Sequence, residues 1–236
     1  MSSLKSDFDQ HGYVAVSSFL SAEEIEELQR ETARFVEVVV PTLPSEIVYY
    51  ENKDDPATLK QVQKLYEHDD YFMRLANSET VVGLAETLLG GAVQLQNMQY
   101  FNKVPGIGKG TPAHQDGFYF MIKPQEAVTM WLSLGEADAS NGAVCYLPGS
   151  HKHGMRPHGR TSTLGFSQGI TDWSVEDDEA EVQMEAKPGD ILVHHSLTVH
   201  RASNNNSNRD RKIQKATFGV SLGSTKVLGR PVTTKI

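Results

Sequence analysis

The chain has 236 residues, 39% hydrophobic and 22% charged, with a formal net charge of −8. This is ordinary globular composition, and the acidic balance disfavours nucleic-acid binding, which leaves a basic footprint. No apolar run approaches the ~18 residues of a membrane span, and the lone Cys145 excludes an intramolecular disulfide.

The N-terminal "MSSLKSDFDQHGYV" lacks the apolar stretch of a signal peptide, so a cytoplasmic protein is expected. Residues 1–91 read as mainly helical. A short helix runs to Gly12, with a strand around Tyr13–Val16. "SAEEIEELQRETARFVEVV" opens on a capping box, Ser21 with Glu24 three residues on. Ile25, Leu28 and Phe35 recur at helical spacing, and Pro41 and Pro44 end the run. "PATLKQVQKLYEHDDYFMRLA" and "SETVVGLAETLLGG" read as two more helices.

From residue 92 short β-like runs take over, among them "AVQLQNMQYFNKV", "AVTMWLSLGEA", "DILVHHSLTVHRAS" and "KIQKATFGVSLG". Turn signals such as "PGIGKG", "SNG" and "KPGD" separate them. The pattern implies a jelly-roll sandwich or barrel. Asn141-Gly142 is a hairpin signal, and Cys145 reads as a small buried hydrophobe. "PGSHKHG" reads as a turn closing the barrel edge. Residues 155 to about 180 read as a long irregular segment and are expected to form a lid over the site, with Trp173 on substrate or pinning the loop.

Two His-x-Asp pairs compete for metal chemistry. His68 and Asp70 fall in a helical run, where positions i and i+2 point apart. His114 and Asp116 follow a Gly/Pro turn, where a strand from about Ala113 would project both to one face. A third ligand is expected from "GDILVHHSLTVHRAS", whose alternation groups His194, Ser196, Thr198 and His200. His194 and His195 read as packing or supporting residues. Two histidines and a carboxylate on one face of an ion form the arrangement of non-heme iron(II) oxygenases. These often draw electrons from a 2-oxo acid, whose far carboxylate needs a cation. Arg211, 11 residues after His200, is placed to return on the next strand, with Arg201 and Arg209 as rivals.

"NKVPGIGKGTPAHQD", "VTMWLSL", "SNGAVCYLPGSHKHG" and "KPGDILVHHSLTVHRASNNNSNRDRK" together resemble the phytanoyl-CoA dioxygenase family of iron(II)/2-oxoglutarate oxygenases. The resemblance covers roughly residues 92–222. It implies a mostly β protein with flanking helices, a double-stranded β-helix (jelly-roll, cupin-like) core with N-terminal helices packed on it. It also implies one domain over residues 1–236, with the helical part at 1–91 and the core at 92–222. His114, Asp116 and His200 would be the iron ligands, and Arg211 the partner of the distal carboxylate of 2-oxoglutarate. Trp131, Gln99, Asn97 and, by a looser match, Tyr49 would contact the co-substrate. Relatives often have serine where Ala202 stands. Halogenating relatives lack the carboxylate, so Asp116 favours hydroxylation.

The expected cofactors are Fe(II), 2-oxoglutarate and O2, acting on an aliphatic C–H of a small-molecule substrate in a monomer or homodimer. A cupin-type metal-dependent isomerase or hydrolase, or a non-catalytic binding module, would use the same barrel.

Overall fold

The computed structural model describes residues 3–120 and 122–221; the outer ends of the expected domain, 1–2 and 222–236, lie outside these described residues. Ser3 caps α1 (Leu4–His11), and Gly12, at φ 81°, ends it. After β1 (Tyr13–Val16), the expected capping box starts α2 (Ala22–Arg34): Glu24 N donates to Ser21 Oγ and Ser21 N donates to the Glu24 carboxylate at 2.8 Å. Ile25, Leu28 and Phe35 are buried, as the spacing requires.

Residues 56–62 do not open the helix the sequence implies. β2 (Val48–Tyr50) and β3 (Leu59–Val62) form antiparallel strands that extend the main sheet. "LKQV" is buried throughout, and its pairing with the next long strand overrides a modest helical propensity. Asp69, extended at φ −156°, divides the following run into α3 (Leu65–His68) and α4 (Asp70–Ala76). His68 and Asp70 therefore sit on separate helices. α5 (Glu79–Leu89) ends at Gly90, φ 75°.

The β-rich part comprises β4 (Val93–Lys103), β5 (Thr111–His114), α6 (Gly117–Phe120), β6 (Ala127–Ser133) and β7 (Val144–Tyr146). It continues through β8 (His158–Thr163), β9 (Phe166–Ile170), α7 (Val175–Ala180), β10 (Val182–Met184), β11 (Ile191–His195), β12 (His200–Ala202) and β13 (Arg211–Val220). Seven strands form the order β1-β11-β6-β13-β4-β3-β2, and four form β10-β7-β12-β5. This mostly antiparallel jelly roll, with N-terminal helices on its larger sheet, is the expected fold class.

Three local readings need correction. "DILVHHSLTVHRAS" is not one strand: β11 belongs to the larger sheet and β12 to the smaller, so residues 196–199 carry the chain between sheets. Asn141-Gly142 makes no hairpin, because β6 and β7 lie in different sheets; Gly142, at φ 83°, serves a turn in which Ala143 N donates to Asp138 O. Residues 155–180 are not irregular but hold the β8–β9 hairpin and α7, whose Ser174 and Asp177 form a capping box.

The larger sheet separates two environments. Met98, Met130, Leu132, Ile191, Val193 and Phe218 pack outward against Leu28, Phe35, Phe72 and Leu88 of the helical layer. Inward, Trp131, Val144, Tyr146, Leu192 and Ile213 fill part of the space between the sheets. Yet the same inward face also carries Arg211, Lys215, Thr217, Thr129 and His194, set by the antiparallel register. Such buried polar groups are costly unless a partner or ligand meets them, and they mark the site. Among the described residues no helix is long and apolar enough to cross a membrane.

Candidate metal centre and co-substrate cavity

β5 and β12 pair with His114 directly opposite His200. Asp116 lies two residues beyond His114, not on the strand as expected but in the bend that starts α6, where its carbonyl accepts from Tyr119 N and Phe120 N. The bend turns the carboxylate back between the imidazoles. One ligand atom from each of His114, Asp116 and His200 lies within 4.8 Å of the others, all three residues buried.

Backbone carbonyls orient both imidazoles. His114 Nδ1 faces Pro112 O at 2.9 Å and His200 Nδ1 faces Thr198 O at 3.0 Å. Donation through Nδ1 leaves each Nε2 with a lone pair aimed at the centre, the tautomer a metal ligand needs. His114 Nε2 is a buried atom with no hydrogen-bond partner. Burial, then repulsion from His114 and His194, holds His200 well below the ordinary histidine pKa. The donor set thus fits a divalent ion.

Asp116 is held from several sides. Thr129 Oγ1 donates to Oδ2 at 2.6 Å, and His194 Nε2 lies 3.2 Å from the same oxygen. Tyr146 OH faces His194 Nδ1 at 3.0 Å, so the imidazole can accept from Tyr146 and donate to Asp116. Lys215 Nζ is 3.1 Å from the carboxylate. Burial alone would raise the Asp116 pKa; the Lys215 ammonium first, then the close His114 and His194 imidazoles, override it and keep the carboxyl well below its usual range. Sequence reading gave His194 a supporting or packing role and missed Lys215, Thr129 and Tyr146. Alternation offered one signal: Lys215 shares the parity of Arg211 along β13.

Beside the three residues opens a cavity lined by Phe101, Trp131, Phe166, Arg211 and Lys215. Arg211 is 5% exposed, its guanidinium 5.0 Å from the Trp131 ring centroid, and its Nε has no hydrogen-bond partner. Burial pulls its pKa down to about 9. Among the described residues it makes no ion pair, whereas its rivals do: Arg209 with Glu136 and Asp138, Arg201 with Glu181 and Asp178. A buried guanidinium without an anion fits the far carboxylate of a dicarboxylate ligand.

The remaining expected contacts lie further out. Gln99 is opposite Lys215 in the sheet, and its Oε1 accepts from Gln61 Nε2 at 2.9 Å. Asn97 and Tyr49 do not line the cavity. Asn97 Oδ1 is drawn to Lys64 N at 3.2 Å, where a left-handed residue opens α3. Tyr49 stands on the edge strand β2, its hydroxyl on Glu46 O at 2.9 Å. The β8–β9 hairpin lies against the three converging residues: the Phe166 and His114 rings are 5.0 Å apart. Trp173 pins α7, donating to Asp178 Oδ1 at 2.9 Å under the Arg201 guanidinium.

The chain is similar to known proteins in sequence and in fold. A probable alpha-ketoglutarate-dependent hypophosphite dioxygenase of Stutzerimonas stutzeri is 28% identical over 207 residues, covering 85% of this chain and 72% of that one. The peroxisomal phytanoyl-CoA dioxygenase of Bos taurus is 25% identical over 87% of this chain, which spans 64% of the bovine protein. Among solved structures, EctD from S. alaskensis with 2-oxoglutarate and 5-hydroxyectoine superposes with a TM-score of 0.77 at 18% identity, covering 92% of this chain and 74% of that one. The epimerase SnoN, in complex with Fe3+, alpha ketoglutarate and nogalamycin RO, gives 0.74 at 23%, covering 92% and 82%. The family model described as Phytanoyl-CoA dioxygenase (PhyH) matches residues 8–213, a span that runs from α1 through β12 and into β13; the chain belongs to the phytanoyl-CoA dioxygenase family.

Proposed function

We propose that this protein is an iron(II)- and 2-oxoglutarate-dependent dioxygenase that hydroxylates an aliphatic C–H bond of a small molecule, releasing succinate and carbon dioxide. One observation carries the reading. Two buried imidazoles and a carboxylate converge within 4.8 Å, and the cavity beside them holds a buried guanidinium with no counter-ion among the described residues. That guanidinium suits a dicarboxylate co-substrate, which a zinc isomerase or hydrolase on this barrel does not require.

His114, Asp116 and His200 would hold the metal from one side. When bound, iron(II) with 2-oxoglutarate and dioxygen supplies the oxidising chemistry. Arg211 would fix the far carboxylate of the co-substrate, with Trp131 as the wall beneath it. Phe101 and Phe166 narrow the cavity and exclude water, which strengthens every charge interaction inside it. Thr129, His194 and Lys215 keep Asp116 ionised and aimed at the centre. With its thiol unpaired and buried, Cys145 suits a reducing, cytoplasmic setting.

Titration with Mn(II) or Fe(II), with and without 2-oxoglutarate, tests the reading. Wild type should bind both, each tightening the other. His114→Ala and Asp116→Ala should lose metal binding and iron-dependent succinate formation. Arg211→Met should keep the metal but bind 2-oxoglutarate on the order of 100-fold more weakly, the loss of a charge-assisted pair. Metal uptake that ignores 2-oxoglutarate would leave the reading without support.

A further inference from the structure

Lys215 has no role in the reading above beyond its contact with Asp116. Its side chain is 13% exposed, on the inward face of β13, between Gln99 on β4 and Trp131 on β6. Its Nζ lies 3.1 Å from Asp116 and 5.8 Å from the Phe101 ring centroid, at the wall of the cavity. Asp116 is already engaged: Thr129 and His194 occupy Oδ2, and a metal held with His114 and His200 would take further lone pairs. A divalent ion at that centre repels the ammonium. An ammonium has three donors, and Asp116, shared with Thr129 and His194, leaves capacity on it for a further anion.

The charges in the cavity define what is missing. Arg201 is neutralised by Glu181 and Asp178, and Lys60 by Glu51 at 3.0 Å. Burial holds Lys103 down to about 6, so it adds little charge near neutrality, and its amine donates to the carbonyls of Ala202 and Ser203. Lys215 and Arg211 remain. A divalent metal adds two positive charges; Asp116 removes one, and the dicarboxylate co-substrate two. One net positive charge is left, and with Arg211 paired it resides at Lys215.

We propose that Lys215 binds the anionic head group (carboxylate, phosphonate or sulfonate) of a small substrate, so that the carbons next to that head lie nearest the metal ligands. This inference rests on the oxygenase reading and names its substrate class. Lysine, a point charge without a planar fork, accommodates planar and tetrahedral oxyanions alike.

The test uses wild-type, Lys215→Met and Lys215→Arg proteins, saturated anaerobically with Fe(II) and 2-oxoglutarate. Loading is checked by the visible charge-transfer band of the chelate. Propionate, ethylphosphonate, ethanesulfonate and neutral propionamide are titrated in turn, and the shift of that band is read. At least one anion should bind wild type ten-fold or more tightly than the amide, and its identity selects the head group. Lys215→Met should erase that preference, and Lys215→Arg should restore most of it. Equal binding of anions and amide, or no binding of any probe, overturns the inference. So does a Lys215→Met protein whose defect is in 2-oxoglutarate uptake, which would assign the lysine to the co-substrate. Wild type that fails to load metal and 2-oxoglutarate overturns the oxygenase reading, and this inference with it.

Discussion

Asp116 shows how much of the centre is built by residues that would never touch a metal. Thr129 is fully buried, and its hydroxyl is 2.6 Å from Asp116 Oδ2. Thr129→Val keeps the shape and removes the donor, leaving the carboxylate free to rotate away from the imidazoles. Outer partners of metal ligands typically affect affinity 10–100-fold, so Mn(II) affinity by isothermal titration should fall by about that factor. Unchanged affinity would show that His194 and Lys215 hold the carboxylate alone. That His114, Asp116 and His200 converge with Arg211 buried nearby was legible because residue type and chain spacing carry that signal. Thr129, Tyr146 and Lys215 were not, because their contacts span sequence separations of 13, 48 and 99 residues. In isolation each reads as an ordinary strand residue.

Elements were legible where local chemistry decides them. The Ser21 capping box and the Gly90 terminus act within one turn, and both appear as read. "LKQV" was misread because a partner far along the chain, β4, decides its state, whereas the β8–β9 hairpin pairs locally, Thr163 with Phe166, and lacks the apolar alternation that would have marked it. Gly12 shows the same coupling between elements. Its carbonyl accepts from His195 N at 2.8 Å and Thr198 Oγ1 at 2.7 Å, tying the end of α1 to the segment between β11 and β12. A Cβ here would meet Thr198 Oγ1 at 2.5 Å and the His151 ring, and φ is 81°. Gly90 has a similar φ of 75° but open space around it. Gly90→Ala should therefore cost only the left-handed strain, about 1–2 kcal/mol. Gly12→Ala should cost clearly more, at least about 3 kcal/mol with the overpacking included. Urea unfolding followed by circular dichroism measures both. Equal losses would mean that the α1–sandwich junction yields without resistance.

Over the whole molecule, the histidine-rich interior couples stability to pH. The His195 ring packs 6.2 Å from Phe8 of α1 and 5.6 Å from His151, where the helical layer closes on the sandwich. Burial, then repulsion from His151 and His194, lowers its pKa from 6.5 to about 4. The unfolded chain thus binds a proton near pH 6.5 that the folded chain refuses until about pH 4. Stability must fall as pH drops through that window and is full above it. From pH 7 to pH 5 the loss from this residue is about 2 kcal/mol. His194 and His200, also lowered mainly by burial, act in the same direction. Asp116 adds nothing to this loss in that window, because a depressed carboxyl gives up its contribution only below its ordinary pKa of 3.8. His195→Gln removes the titration while keeping a polar side chain of similar reach. Metal-free urea midpoints at pH 7 and pH 5 should separate less in the variant than in wild type, by about 2 kcal/mol once multiplied by m. An unaltered separation would place the acid sensitivity at the His114–His194–His200 cluster instead of the junction between layers.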